Sequence, residues 1–292
     1  MCSPEVIAKV HQEFSRRRLL SSMSAAGAAV ALGTLGVASR GIRSARAQEG
    51  SPEATPVQPL LLGGFTRVVD LTHVASPDFP MFPGAQPMKI DVLVTVQQNG
   101  FYKNQLTLDE HTGTHMDAPA HFVADGMTAE LLPPERLIAP LCVVHIHERA
   151  ASDPDAQVMV DDILAWESQF GPLPAGAFVA MHSGWEARVG DPTHYVNLDA
   201  NNVQHYPGWH PDAAAFLVNE RDIVGIGVDT LSLDYGASAD FKTHLTVLPA
   251  GKYGIENLAN LATVPPAGAT IIIGGPKHRT ASGGPVRALA LV

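Results

Sequence analysis

The sequence predicts a mixed α/β fold. Strand candidates outnumber helix candidates along the 292 residues. Their order is not the clean strand–helix alternation of a doubly wound parallel sheet. Neither a GxGxxG string nor a P-loop is present. Composition agrees. Hydrophobic residues make up 46% and charged residues 16%, enough to bury a core and to exclude disorder for most of the chain. The 26 Gly and 23 Pro favour turns and short strands over a helical bundle.

Residues 90–96 are rich in β-branched side chains and residues 104–108 alternate, with the hairpin signal Asn99-Gly100 between them. Apolar runs at residues 141–146, 177–181, 223–228, 270–273 and 286–292 supply further strands. Helices are fewer. Residues 161–170 open on Asp161 and an acidic first turn. Residues 210–219 carry Pro211 at the first helical position. Residues 255–261 form a short third candidate.

Residues 1–47 read as an export signal. Arg16-Arg17-Arg18 precedes a weakly apolar, Ala- and Gly-rich run, and Ala45-Arg46-Ala47 supplies a cleavage site. The paired arginines resemble a twin-arginine signal, so the expected location is periplasmic or extracellular, with no stable membrane anchor after cleavage. Cleavage removes Cys2 and leaves Cys142 alone, so no intrachain disulfide forms. Residues 48–62 are polar and Pro-rich and read as a flexible linker. Residues 63–292 read as one domain. The net charge of −10 argues against a nucleic-acid partner, and a small-molecule substrate is expected.

The 13 His are unevenly placed. His111, His115, Asp117 and His121 fall within one short string, next to Asp109 and Glu110. His nitrogens and carboxylate oxygens are the ligands borderline divalent metals take. Alternation puts His111, His115 and Asp117 on one face of an extended chain. A straight strand would hold the two His about 13 Å apart, so the segment must curl, and Gly113 permits that. A helix would turn Asp117 away and set Pro119 awkwardly. Metal sites usually add a ligand from distant sequence, and His244 and Glu256 are the candidates.

His111-x-Gly113-Thr114-His115-x-Asp117-Ala118-Pro119-x-His121-Phe122 resembles the signature of the cyclase family of metal-dependent hydrolases, which includes bacterial kynurenine formamidases and isatin hydrolases. Asp70-Leu71-Thr72-His73, Ser183-Gly184-Trp185, the stretch from Gly225 to Thr230, and Gly284-Pro285-Val286-Arg287 resemble further landmarks in the same order. The resemblance implies a swivelling β/β/α fold, a mixed sheet with flanking helices, built into homodimers or homotetramers. It implies His111, His115 and Asp117 as metal ligands, His244 and Glu256 completing the site, and His121 as the catalytic histidine. The implied cofactor is Zn2+, with Mn2+ as the alternative, at one or two ions per chain. The implied reaction is cleavage of a carbon–nitrogen bond of an aryl formamide or cyclic amide by metal-activated water.

Phe82 and Trp185, with Phe79 and Phe101, are candidates to stack on a flat aromatic substrate. His145 and His147 read as solvent-facing, His182 as a strand end or a site neighbour, and Asp229 and Asp234 as turn acids or as acids supporting the site from behind, with the turn favoured. A lactone- or ester-opening hydrolase of the same mechanism, a non-catalytic exported metal- or ligand-binding protein, and a two-His-one-carboxylate iron oxygenase are the competing readings.

Overall fold

The computed structural model describes residues 64–292. The expected export signal and the whole of the expected linker lie outside the described residues. Val92–Asn104 is a compact unit by itself, holding a one-turn helix, Val96–Asn99. The helix is closed by Gly100 at φ +78°, so Asn99-Gly100 lies in the connection between the two predicted strands, found as Lys89–Val94 and Lys103–Thr107 in a two-stranded sheet.

The larger unit is built on one nine-stranded sheet. In chain order its strands are β1 (Val68–Asp70), β2 (His115–Asp117), β3 (Ile138–His145), β4 (Ala177–His182), β5 (Ile223–Gly227), β6 (Tyr253–Glu256), β7 (Ala269–Gly274), β8 (Gly283–Pro285) and β9 (Arg287–Leu291). The spatial order is β1-β9-β7-β3-β4-β5-β6-β2-β8. The central strands β3, β4, β5 and β6 are parallel. Antiparallel pairs flank them on both sides, with β1, β9 and β7 on one and β2 and β8 on the other. This is the mixed sheet with flanking helices that the family resemblance implied, and it agrees with the mixed α/β reading of the sequence.

Both faces of the central strands are buried, which explains their unbroken apolar runs. Alternate residues of β3 and β4 enter opposite cores. Leu141, Val143, Phe178 and Ala180 pack with Met116, Tyr253, Ile255 and Ile271. Cys142, Val144, Val179 and Met181 pack with Ile163, Trp166, Trp209 and Leu217. Helices Val160–Phe170 and Pro211–Glu220 supply much of this second core. The first begins one residue before the predicted Asp161, because Asp162 accepts from the Met159 N–H at 2.7 Å. The second has His210 as its N-cap, just before Pro211.

The predicted helix over residues 255–261 is corrected. Ile255 and Glu256 end strand β6, which lies between β5 and β2. Leu261–Thr263 forms only a 3-10 turn. Two ladders flank these residues, so sheet pairing overrides the weak local helical pattern.

Candidate metal centre

The site is assembled where β2 meets β6. Gly113 takes φ +66°, a left-handed conformation that suits glycine, and this turns the chain between His111 and β2. His115 and Asp117 then share one face of the strand. Antiparallel register sets Glu256 directly opposite His115. Helix Lys242–Val247 brings the buried His244 against the same face.

The polar atoms converge. His115 Nε2 lies 3.2 Å from Glu256 Oε2 and 3.5 Å from Asp117 Oδ1. His244 Nε2 lies 3.2 Å from both Asp117 Oδ2 and Glu256 Oε1. His111 Nδ1 lies 2.7 Å from Asp117 Oδ1. Two ligand groups result, His111/His115/Asp117 and Asp117/His244/Glu256, each with its ligand atoms within 4.8 Å of one another. Asp117 belongs to both.

Hydrogen bonds fix the tautomers. The Gly113 carbonyl only accepts, so His115 Nδ1 donates to it at 2.8 Å. His244 Nδ1 donates to Asp234 Oδ2 at 2.6 Å. When these rings lose their second proton, both Nε2 atoms therefore aim lone pairs at carboxylate oxygens. His115 Nε2 is buried with no hydrogen-bond partner. His111 is set by a longer relay. The Ser282 hydroxyl donates to Glu110 Oε2 at 2.5 Å, so its oxygen accepts from His111 Nε2 at 3.1 Å. That leaves His111 Nδ1 facing Asp117.

Such an arrangement calls for positive charge at its centre. Burial opposes charging His115, yet the adjacent Asp117 and Glu256 carboxylates outweigh it and raise the imidazole to about 10. Burial opposes charging His244 as well, and Asp117, Asp234 and Glu256 still raise it well above its usual value. Asp117 is held well below the carboxylate range by the three imidazoles, against burial. A divalent cation answers the same field without extra protons. The donor set of imidazole nitrogens and carboxylates therefore fits a borderline divalent metal.

A cavity of about 510 Å³ opens onto this centre. Phe82, Phe122 and Phe241 form an aromatic wall, with Phe82 and Phe122 lying 6.4 and 5.9 Å from the Phe241 ring centre. His121 lines the same cavity and stacks on His111 at 4.0 Å. It belongs to neither ligand group. Desolvation lowers its pKa, with Asp117 acting the other way.

The structure thus brings His111, His115, Asp117, His121, His244, Glu256 and Phe82 together. It does not bring Trp185. That indole is 2% exposed, packs with Tyr195, Tyr206 and Leu231, and donates to the Tyr195 carbonyl at 2.9 Å. Its place in the cavity wall is corrected to a core position. Phe79 is likewise buried, against His73 and Tyr195. Phe101 belongs to the separate Val92–Asn104 unit.

The family model described as "Putative cyclase" matches residues 69–235. The chain belongs to the cyclase family. It is 35% identical to an isatin hydrolase of Roseibium aggregatum over 250 residues, covering 80% of this chain and 94% of that protein. It is 29% identical to a kynurenine formamidase of Paracidovorax citrulli, covering 72% of this chain and 89% of that protein. A crystal structure of an isatin hydrolase bound to the product analogue thioisatinate superposes with TM-score 0.74 at 33% identity, covering 77% of this chain and 92% of that one. The protein is thus a hydrolase of this family.

Of the two readings open for Asp229 and Asp234, a turn or a support behind the ligands, the turn was favoured, and the structure favours the other for Asp234. It is buried and holds His244 by its side chain and its backbone N–H. Asp229 is buried too and accepts from the Ser183 N–H and hydroxyl and the Gly184 N–H, away from the ligands. Glu110 and Ser282, 172 residues apart, set His111. An acid ten residues before a candidate ligand His was the one readable signal, since such His usually donate their second nitrogen to a carboxylate.

Proposed function

We propose that this chain is an exported, metal-dependent hydrolase that opens a carbon–nitrogen bond of a cyclic aryl amide or an aryl formamide. The observation that carries the reading is the convergence of His111, His115 and His244 lone pairs with Asp117 and Glu256 at a cavity walled by Phe82, Phe122 and Phe241. The isatin hydrolase and kynurenine formamidase relatives support the bond class. The flat walls suit a planar aromatic substrate.

His111, His115, Asp117, His244 and Glu256 would hold the metal, one or two ions of Zn2+ or Mn2+, with Asp117 shared between the two groups. When bound, such an ion lowers the pKa of a coordinated water and polarises a carbonyl. The chain supplies the rest. Phe82, Phe122 and Phe241 orient the ring of the substrate and displace water from its faces. His121 is free of ligand duty and moves a proton to the leaving nitrogen. Gly113, Asp234 and the Glu110–Ser282 pair keep the ligand imidazoles in the tautomers that present lone pairs.

Export belongs to the same reading and rests on Arg16, Arg17 and the Ala45-Arg46-Ala47 site. A mature N-terminus at Gln48, found by mass spectrometry of protein recovered outside the cytoplasm, is the expected result. The homodimer or homotetramer follows from the family resemblance, and light scattering of the purified protein tests it.

The deciding experiment incubates the metal-replete protein with isatin and with N-formylkynurenine and follows ring opening or deformylation by absorbance. Turnover of one of them that EDTA abolishes and added Zn2+ or Mn2+ restores supports the reading. Absence of turnover on a wider panel of aryl lactams and formamides, with metal bound, would refute it.

A further inference from the structure

A second histidine cluster lies away from the cavity. His145 ends β3, His182 ends the neighbouring β4, and parallel register sets the two side by side. Ile146 then turns the chain at φ −123° and ψ 12°, and His147 opens helix His147–Ala150. The turn swings His147 over the same two rings. Ring centres lie 4.9 Å apart for His145 and His182, 5.0 Å for His147 and His182, and 5.7 Å for His145 and His147. One nitrogen from each lies within 4.8 Å of the others. None of the three lines the cavity of the metal centre.

We propose that His145, His147 and His182 form a second cation site, separate from the hydrolytic centre, that takes a borderline divalent metal such as Zn2+ through three imidazole nitrogens. Three imidazoles with an open fourth position form a recognised zinc-binding set, and imidazole is the ligand class such metals favour. Spacing agrees with the chemistry. Two nitrogens on one tetrahedral Zn2+ at about 2.0–2.1 Å stand about 3.3 Å apart. His145 Nδ1 and His182 Nδ1 are 2.8 Å apart. Opening that pair by a few tenths of an ångström admits an ion. His145 and His147 are exposed and have room to adjust, while His182 is 5% exposed and fixed.

The surroundings leave these nitrogens available. Among the described residues no carboxylate is hydrogen-bonded or ion-paired to any of the three, unlike His194 with Asp191 or His205 with Asp155. Burial, then the neighbouring His145 and His147, hold His182 down to about 4. Burial and His147 lower His145. Both rings are therefore neutral at pH 7 and keep a lone pair. A hydrogen-bonded pair would explain His145 and His182 alone. It leaves the third ring, brought over by the turn at Ile146, without a role.

The test is equilibrium dialysis of the full protein against Zn2+, followed by elemental analysis. It compares wild type, His147→Ala, His145→Ala/His147→Ala and His115→Ala. Both substituted positions of the double variant are exposed, and circular dichroism checks that each variant is folded. The expected result is one ion fewer per chain in His147→Ala and in the double variant than in wild type, with hydrolytic turnover changed less than twofold. The same ion should stay in His115→Ala. There, Zn2+ should raise the melting temperature with saturation, and the rise should vanish when His147→Ala is added. Equal zinc in wild type and the double variant would overturn the site. So would a Zn2+-induced rise in melting temperature that survives both substitutions.

Discussion

Asp234→Asn isolates the orientation of one ligand. Asp234 Oδ2 accepts from His244 Nδ1 at 2.6 Å and from its backbone N–H at 3.2 Å, while Oδ1 accepts from the Thr243 N–H at 2.8 Å. An asparagine has one acceptor oxygen to serve both ends. If that oxygen keeps Thr243, the amide NH2 faces His244, and the imidazole must switch tautomer to accept at Nδ1. Nε2 then carries a proton aimed at Asp117 and Glu256 and is lost as a ligand. If the oxygen turns to His244, the Thr243 N–H meets a donor at the start of the ligand helix. Either way the centre weakens. Loss of such an outer partner typically costs 10–100-fold in metal affinity, about 1.4–2.7 kcal/mol at 25 °C. Competition with a chromophoric chelator measures the affinity, and circular dichroism verifies the fold. Asp234→Asn binding Zn2+ and Mn2+ as tightly as wild type would refute the tautomer argument.

Other substitutions separate the remaining roles. His121→Ala is expected to keep its metal and lose about 10²–10⁴ in turnover, the usual range for a general acid–base group; loss of metal by elemental analysis would make His121 a ligand instead. Gly283→Ala places a Cβ 2.2 Å from the Met116 carbonyl and 2.8 Å from His111 Cε1, so the β8–β2 pairing and His111 must both move. Urea unfolding should show a loss of about 1–3 kcal/mol, with reduced metal content. Asp155 accepts from His205 Nδ1 at 2.8 Å, and this hydrogen bond raises the His205 pKa above 6.5. The raised value means the pair stabilises the fold below pH 6.5 and ceases to do so as pH rises through the folded pKa. Asp155→Asn should therefore cost about 0.5 kcal/mol or less at pH 6, given solvent screening, and nothing at pH 9. A deficit that grows with pH would contradict the sign.

Much of the framework was readable because burial writes itself into the strands as apolar runs, on both faces for β4 and β5 and chiefly on one for β7 and β9. The three strands at the site were not. His115–Asp117, Tyr253–Glu256 and Gly283–Pro285 are short and carry His, Asp, Glu and Gly. Their composition serves the ligands and leaves little β-propensity, so residues 255–261 read as a helix. The curl at Gly113 was deduced correctly, because the reach of a straight strand left no other way to join His111 to His115. Trp185 was misplaced because proximity to a motif in sequence says nothing about which side of the sheet an indole faces. The cluster at His182 was invisible for a related reason. It depends on the parallel register of two strands separated by a crossover, and on a turn at Ile146 that ends β3 one residue short of the predicted strand.

The same logic explains why the site lies on the sheet. Asp117, Asp234 and Glu256 are 1%, 2% and 5% exposed, and burying unpaired carboxylates is costly. Off the sheet, Asp117 and Glu256 could turn to water. Ladder pairing of Glu256 with His115 prevents that, and the Leu233 N–H fixes Glu256 Oε1 at 3.0 Å. Asp234, in the loop before helix Lys242–Val247, is held by the Thr243 and His244 N–H groups. The acids remain where their repulsion is relieved only by protonated His115 and His244 or by a bound cation. Metal and protons therefore compete for one cluster. Zn2+ uptake at pH 7 should release protons from these histidines, and titration calorimetry in buffers of different ionisation enthalpy counts them. Binding without proton release would mean the imidazoles are already neutral before the metal arrives, and the field of the three carboxylates would then be weaker than their burial implies.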